Sequence, residues 1–254
     1  MSDRVLLKLG GSVVTEKGIE GMIAEGALHR IAGEIARRKQ LPLVVVHGAG
    51  SCGHPEARRF HINEGVRQDN VEGVYHTHLA VSRLNAAVVG ALRDAGVEAI
   101  GVHPLGACIA EAGRLRSCGH QQLRLMTDVG IVPVLHGDVV MDGSRGACII
   151  SGDQLMHLLA PLLGAERVGL ATDVQGVIHK GRVVPEITPV NLGNFLIEGS
   201  SHTDVTGGMA GKLGELIALA EKGISSDIFH ADRIGDFLDG KPNGGTRITG
   251  GSYD

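Results

Sequence analysis

The first clear pattern in the chain is Arg4-Val5-Leu6-Leu7-Lys8-Leu9-Gly10-Gly11-Ser12, a short apolar run that ends in a pair of glycines. An apolar run of this length predicts a strand that is buried on both faces. Similar runs recur along the chain, and longer helical patterns separate them. Strands that alternate with helices indicate a mainly parallel sheet with helices packed on both sides. The opening stretch therefore predicts an α/β fold.

The remaining predicted elements follow the same alternation. Further strands are predicted at residues 42–47, 97–102, 131–135, 167–171 and 227–230. Helices are predicted at residues 24–39, 71–95, 121–129, 154–163, 190–198 and 209–222. Two hairpins are predicted to turn at glycine, around Asp142-Gly143 and around Lys180-Gly181. Because no repeat or linker divides the chain, we expect one compact domain with an N-terminal lobe (about 1–165) and a C-terminal lobe (about 166–254).

Composition excludes several classes of function. The 254 residues are 43% hydrophobic and 20% charged, which is typical of a globular protein. Aromatic residues make up only 2%, and the net charge is -4, so neither base stacking nor a general positive field favours nucleic-acid binding. The four cysteines form no C-x-x-C pair, and no signal peptide or membrane-spanning apolar stretch is recognisable. We therefore expect a reduced, cytoplasmic protein without a membrane segment.

Glycine-rich segments follow the first two predicted strands. The first is Gly10-Gly11-Ser12, with Lys8 just before it and Lys17 in the loop behind it. The second is His47-Gly48-Ala49-Gly50-Ser51-Cys52-Gly53-His54-Pro55, which leads into a short predicted helix. Ligands of parallel α/β sheets bind beyond the carboxyl ends of the strands, where glycine amides can surround an anion. Both segments are therefore candidate phosphate-binding loops.

The second loop has a competing interpretation. Its Gly48-x-Gly50-x-x-Gly53 spacing matches the dinucleotide-binding fingerprint formally, so a dehydrogenase is a rival hypothesis. The match lies on the second strand, and no acidic residue ends a strand about 20 residues later, as that fingerprint requires.

Three later segments carry further candidates. Ser151-Gly152-Asp153 opens a predicted helix, where Asp153 could cap the helix or hold lysine side chains in place. Thr172-Asp173 ends a strand in the second half of the chain. Gly207-Gly208 leads into a helix that carries Lys212, and an amide-rich helix start beside a lysine suits a nucleotide phosphate.

In this order, the segments resemble the amino acid kinase superfamily over nearly the whole chain. The matching motifs are Lys8-x-Gly10-Gly11-Ser12, the loop at 47–55, Thr172-Asp173-Val174-x-Gly176-Val177, Thr206-Gly207-Gly208-Met209-x-x-Lys212 and the last strand at 245–248. Within the superfamily, Gly48–Pro55 and Tyr75-x-Thr77-His78-x-Ala80-Val81-x-x-Leu84-Asn85 resemble the isopentenyl phosphate kinase family. Cys52 departs from that family, where Phe is more usual.

The resemblance implies a three-layer αβα sandwich, a homodimer, and transfer of the ATP γ-phosphoryl group to a small-molecule phosphate, isopentenyl phosphate, with Mg²⁺. It implies that the N-terminal lobe binds the acceptor and the C-terminal lobe binds ATP. It assigns catalysis to Lys8, Lys17, His54, Asp153 and Lys212. It assigns ATP binding to Lys8, Gly10, Gly11, Ser12, Thr172, Asp173, Gly207, Gly208 and Lys212, and acceptor binding to Ala49, Gly50, Gly53, His54 and Gly152. No protein ligand for the metal is expected.

Several alternatives remain for the acceptor and for the pocket that binds it. An isoprenoid tail needs an apolar pocket, for which Leu84, Val140 and Ile150 are the candidate walls. Other amino-acid-kinase-fold activities on a phosphate, phosphonate or carboxylate are the alternatives. A non-catalytic protein of this fold that binds a nucleotide or an anion is a further one.

Overall fold

The computed structural model describes residues 4–195 and 208–250. Its strands are β1 (Arg4–Leu9), β2 (Leu43–His47), β3 (Ala99–Gly101), β4 (Cys108–Glu111), β5 (Arg114–Cys118), β6 (Val132–His136), β7 (Asp138–Asp142), β8 (Gly146–Ile150), β9 (Ala165–Thr172), β10 (Ile178–His179), β11 (Arg182–Val183), β12 (Glu186–Ile187), β13 (Ser226–His230) and β14 (Thr246–Ile248). Its helices are α1 (Gly11–Val14), α2 (Glu25–Ala36), α3 (Gly50–Arg59), α4 (Glu72–Asp94), α5 (Pro104–Ala107), α6 (His120–Asp128), α7 (Gly152–Leu163), α8 (Gly208–Ala220) and α9 (Ile234–Leu238).

The central sheet is mainly parallel, as the alternating pattern predicts. Its eight strands lie in the order β12-β14-β13-β9-β1-β2-β6-β3. Each neighbouring pair is parallel except β13 and β14, which are antiparallel. β1 lies between β9 and β2, and all six of its residues are buried. The opening stretch is therefore a central strand of the fold.

Helices cover both faces of this sheet. On one face, Leu6 of β1 belongs to a core cluster that includes Leu123 of α6, Leu155 of α7 and Leu216 of α8. On the other face, Val5, Leu7 and Leu9 belong to a second cluster with residues of α2, α4 and α9. Adjacent residues of a strand point to opposite faces, so one strand supplies both clusters. The predicted three-layer αβα sandwich is confirmed.

A second, four-stranded sheet has the order β5-β4-β7-β8, and sequence reasoning found only half of it. The predicted hairpin of β7 and β8 is confirmed. The hairpin of β4 and β5 was not predicted, because most of β5 is exposed and lacks an apolar pattern. Its pairing places Cys108 opposite Cys118, and the two form a disulfide. For these two cysteines the expectation of reduced thiols is wrong, because strand pairing joins residues that no local spacing motif connects.

Two predicted elements of the C-terminal half have different outcomes. The predicted hairpin around Lys180-Gly181 is confirmed as β10 and β11. Of the helix predicted at 190–198, the structure has a 3₁₀ turn at Leu192–Asn194, and residues 196–198 lie outside the described part. Within residues 4–195 and 208–250, every helix falls short of the length or apolar character that crossing a membrane requires.

One carboxylate joins the turns of the two hairpins. Asp142 accepts hydrogen bonds from the backbone amides of Ala112 (3.2 Å), Gly113 (2.7 Å), Ser144 (2.9 Å) and Arg145 (3.0 Å). The hydroxyl of Ser144 donates a further bond of 3.0 Å. Burial alone would raise the pKa of Asp142, but these donors hold that pKa well below its ordinary value of 3.8. The ionised carboxylate therefore stabilises the second sheet.

We predict that Asp142→Asn lowers the free energy of unfolding by about 1–3 kcal/mol at neutral pH, because the amide replaces a charged acceptor of several hydrogen bonds. Since the folded-state pKa is depressed, the stabilisation is present above the ordinary pKa and disappears as the pH falls through the folded-state pKa. Denaturant unfolding of both proteins from neutral pH down to about pH 2 measures this difference, which should begin to shrink as the pH falls below the ordinary pKa of 3.8.

Ser144→Ala is the matched control, because it removes the hydroxyl bond to Asp142 and the bond from the Ala112 amide but keeps the carboxylate, so its deficit should be smaller and should not vanish at low pH. An Asp142→Asn deficit that stayed constant down to the lowest pH would contradict the assignment of the effect to ionised Asp142.

Candidate active site

Two glycine loops meet at the carboxyl ends of β1 and β2. These strands are adjacent and parallel, so both loops emerge at the same edge of the sheet. A Cβ atom on Gly11 would lie 2.7 Å from the backbone of Gly50, and one on Gly48 would lie 2.7 Å from the Gly11 nitrogen. Gly50 also has a positive φ of 52°. Only glycines allow the two backbones to approach this closely, which places their peptide groups side by side.

Lys8 and Asp153 form a buried ion pair beside these loops. The Lys8 Nζ atom lies 2.6 Å from Asp153 Oδ1, and the two side chains are 5% and 8% exposed. Asp153 is the second residue of α7, while the helix is capped by Ser151, whose hydroxyl accepts a bond of 3.2 Å from the Gln154 amide. The capping alternative for Asp153 is therefore wrong. The carboxylate instead holds the Lys8 ammonium group at the end of β1.

A second lysine–aspartate pair lies on the other side of the β1 loop. Lys17 contacts Asp173, and the Ser12 hydroxyl donates a 2.9 Å hydrogen bond to the same carboxylate. Burial would raise the pKa of Asp173, but Lys17 and Ser12 hold it below its ordinary value. The adjacent Thr172 hydroxyl donates to the Val174 carbonyl at 2.8 Å, so it shapes the loop after β9. Four predicted site residues are thus brought together here.

Helix α3 carries the predicted acceptor residues. Ala49 is its N-cap, and His54 lies one turn after Gly50, so the two side-chain positions share a face of the helix. Gly53 is buried, and a side chain there would collide with Val81 of α4. The third glycine of the formal dinucleotide fingerprint therefore lets α3 pack closely against α4. The dehydrogenase hypothesis is not supported, because the loop follows β2 and not the first strand of the sheet unit.

Helix α8 lies close to the start of α7. Lys212 lies on this helix, one turn after Gly208 at its start, whereas Gly207 lies outside the described residues. A cavity of about 250 Å³ separates α8 from the start of α7. Its lining includes Gly211 and Glu215 of α8, Ser151 and Asp153 at the α7 end, and Ile149 of β8. The cavity thus adjoins the Lys8–Asp153 pair.

The three predicted pocket residues are not assembled into one wall. Leu84, Val140 and Ile150 are each 0% exposed. Leu84 belongs to the core cluster on the α4 side of the sheet, whereas Val140 and Ile150 belong to the cluster on the other side. Their apolar character therefore reflects core packing, and the cavity beside Asp153 is lined by the neighbouring residue Ile149 instead.

Sequence reasoning missed a third glycine loop at this edge. Gly137 follows β6, and a Cβ atom there would lie 3.6 Å from the Gly152 nitrogen and 3.7 Å from the Ala49 nitrogen. A signal was present, because His47-Gly48 and His136-Gly137 repeat the same dipeptide at the ends of two adjacent strands. Among the described residues, no group of His, Cys, Asp or Glu side chains is arranged to hold a metal ion.

Comparisons with known proteins agree with this geometry. Residues 3–230 match the model of the amino acid kinase family. The chain is 39% identical to an isopentenyl phosphate kinase of Methanothermobacter thermautotrophicus, over 97% of this chain and 99% of that protein. It is 42% identical to an isopentenyl phosphate kinase of Haloferax volcanii, over 94% of this chain and 96% of that protein.

A crystal structure of an isopentenyl phosphate kinase superposes with a TM-score of 0.83 at 36% identity, and the match covers 96% of this chain and 100% of that chain. Sequence and fold agree over almost the full length, and the chain belongs to the amino acid kinase family, on the branch of the isopentenyl phosphate kinases.

Proposed function

We propose that the protein transfers the γ-phosphoryl group of ATP to isopentenyl phosphate and so forms isopentenyl diphosphate. The observation that carries phosphoryl transfer is the buried Lys8–Asp153 pair beside two glycine loops at one edge of the sheet. The acceptor follows from the names of the relatives that match nearly the full length of the chain. Phosphoryl transfer needs mainly positioning and charge stabilisation, which this arrangement can supply.

ATP would occupy the side of the cleft formed by the C-terminal lobe, about residues 166–254. Lys212, the Gly208 amide at the start of α8 and Gly207, which precedes it in the sequence, would bind its phosphates, together with Gly10, Gly11 and Ser12. Thr172 and Asp173 would border the nucleoside. Lys8, held by Asp153, and Lys17 would neutralise the charge that develops on the transferring group.

The acceptor phosphate would lie against the N-terminal lobe, about residues 1–165. His54 would donate a hydrogen bond to it, and the backbone at Ala49, Gly50 and Gly152 would supply further contacts. Gly53 would contribute indirectly, because its lack of a side chain lets α3 pack against α4. The acceptor phosphate is itself the nucleophile and is largely dianionic at neutral pH, so no general base is required.

The metal, the assembly and the setting are parts of the same proposal. Asp153 and Asp173 are each engaged by a lysine, so Mg²⁺ would be held mainly by the ATP phosphates and water, where it supplies charge neutralisation. The described central sheet ends in β3, whose Ile100 is exposed, and a homodimer across this edge would cover it. We further propose a cytoplasmic location, where ATP is available.

The apolar tail of the acceptor needs its own surface. A third apolar cluster, of Ile62, Val139 and Ala147 with Ile149 packed against it, is formed by β7, β8 and the segment after α3. Ile149 also lines the cavity that adjoins Asp153. We therefore propose that the tail packs against Ile149, which faces the opposite side of β8 from Ile150.

His54→Ala should greatly lower turnover of isopentenyl phosphate and leave ATP affinity nearly unchanged, because the lost donor faces the acceptor. His54→Gln should retain more activity, since its amide can still donate a hydrogen bond. Steady-state kinetics with each substrate varied measures both effects. His61→Ala, an exposed histidine just after α3, is the control. Full turnover by His54→Ala would remove the main support for this acceptor.

Lys8→Ala should slow the phosphoryl-transfer step by about 10²–10³, the cost of one donor to a developing charge. Asp153→Asn should cause a smaller loss, because Lys8 is still present but no longer held by a carboxylate. Single-turnover kinetics separates the chemical step from binding, and Lys39→Ala, in the exposed turn after α2, is the control. A normal transfer rate with only weaker ATP binding would give Lys8 a binding role.

Ile149→Ala should widen the tail site and admit longer isoprenoid monophosphates, with about 0.8 kcal/mol gained for each additional buried CH₂ group. The matched control is Ile150→Ala, which removes fully buried core volume and should lower stability by about 2–5 kcal/mol without changing the preference. Kinetics with monophosphates of increasing chain length tests this. An unchanged preference in a folded Ile149→Ala protein would place the tail elsewhere.

A further inference from the structure

Two buried histidines precede the glycine loops that follow β2 and β6. His47 and His136 are paired in register on these adjacent strands, and both are 0% exposed. Their rings are stacked with centroids 5.5 Å apart. In each histidine, Nδ1 lies 3.0 Å from the carbonyl oxygen of the following glycine, Gly48 or Gly137. The same side-chain-to-backbone contact thus occurs twice, side by side.

These contacts determine where the ring protons lie. A carbonyl oxygen can only accept, so Nδ1 must carry the proton in both rings. Burial lowers the pKa of both histidines, and the rings are therefore neutral with Nε2 as an acceptor. His136 Nε2 lies 2.9 Å from His103 Nδ1, which donates to it. His47 Nε2 lies 3.0 Å from the side-chain amide of Asn85, which can donate when its NH₂ group faces the ring.

A further histidine beside this chain is paired with a carboxylate. Ser82 Oγ lies 3.5 Å from His103 Nδ1 and 3.2 Å from His78 Nε2. His78 Nδ1 lies 3.0 Å from the carboxylate of Asp138, the residue after Gly137. The hydrogen bond to Asp138 raises the pKa of His78, whereas burial lowers the pKa of His103. Positive charge is therefore favoured at the His78–Asp138 end, and the rings next to the glycines stay neutral.

Holding the Gly48 carbonyl also orients the N–H group of the same peptide bond, which belongs to Ala49. In a trans peptide the C=O and N–H groups point in opposite directions. With the Gly48 oxygen turned towards the His47 ring, the Ala49 amide is turned away from that ring. A Cβ atom on Gly137 would lie 3.6 Å from the Gly152 nitrogen and 3.7 Å from the Ala49 nitrogen, so the loop that His136 holds borders both of these backbone groups. The histidines thus control the orientation of backbone groups at the acceptor site.

We propose that His47 and His136 are positioning residues, which hold the Gly48 and Gly137 carbonyls so that the amide of the second glycine loop is presented to the acceptor phosphate. This inference rests on the proposed function. His103 acts through His136, because its bond to Nε2 fixes the protonation and ring orientation of His136. The cluster is not a metal site, because among residues 4–195 and 208–250 no such group has the arrangement that binds a metal ion.

The kinetic test uses the full chain with ATP and isopentenyl phosphate. His47→Leu removes the donor and should raise KM for isopentenyl phosphate by about tenfold or more, the loss expected for one hydrogen bond to a charged group. KM for ATP should stay unchanged. His47→Asn keeps a donor near the position of Nδ1 and should recover part of the acceptor affinity. His76→Leu is the control, because His76 bonds Glu72 on the outer side of α4 and lies outside the chain of bonds.

Two results would overturn the positioning role. One is a parallel rise of both KM values in step with a fall in thermal stability, since that pattern describes a merely structural residue. The other is a His47→Asn variant no better than His47→Leu.

A second measurement is independent of activity. Nitrogen NMR of the isotope-labelled protein reports which ring nitrogen of each histidine is protonated. We expect Nδ1–H in both His47 and His136 at neutral pH, and an Nε2–H tautomer in either one would contradict the proposal. If the unmodified protein did not phosphorylate isopentenyl phosphate, the proposed function would fail, whereas the nitrogen spectra would still decide whether the carbonyls are held.

Discussion

The fold has to bring a charged amino group to the end of a strand that is buried on both faces, and the ion pair of Lys8 with Asp153 meets this constraint. β1 lies in the middle of the central sheet, so Lys8 has little access to water there. An isolated charge in such a position is very costly, and a partner at 2.6 Å offsets the cost. The pair also joins β1 to the first turn of α7. The position of α7, and with it the cavity below α8, therefore depends on this contact.

The protein as a whole does not attract anions, so the site must do so locally. The net charge is -4, and both lysines of the β1 region, Lys8 and Lys17, are already paired with aspartates. Backbone amides supply the remaining donors, and they require loops that touch one another without intervening side chains. The contact between Gly11 and Gly50 satisfies this requirement. Glycine content at the carboxyl ends of the strands is thus a geometric condition of the site.

The histidines below the loops show how polar groups are accommodated in this interior. His47 and His136 end two apolar strands, yet each of their ring nitrogens has a partner. Satisfied polar groups in a region of low dielectric are rigid, because every alternative arrangement leaves a buried donor or acceptor unpaired. The hydrogen-bonded histidines therefore restrict the backbone conformation of the adjacent glycine loops, which the glycines by themselves leave free to vary.

The features that depend on local pattern were predictable from the sequence alone. They include the buried strand at Arg4–Leu9, the parallel α/β sandwich, the hairpin of β7 and β8, and the convergence of the first two glycine loops. Periodicity and turn chemistry act over a few residues, and the strand-end rule then places the loops at one edge. For Asp153 the residue type left two alternatives, helix capping or pairing with lysine, and the structure shows the pairing.

Only the tertiary structure decided the features that depend on which strands are neighbours and which face a residue occupies. It paired Cys108 with Cys118, separated Leu84 from Val140 and Ile150, and aligned His47 with His136. A shift of one residue in a strand reverses the face of every side chain, so an apolar pattern cannot distinguish a pocket wall from core. Contacts between distant segments come from the register of paired strands, and no local pattern encodes that register.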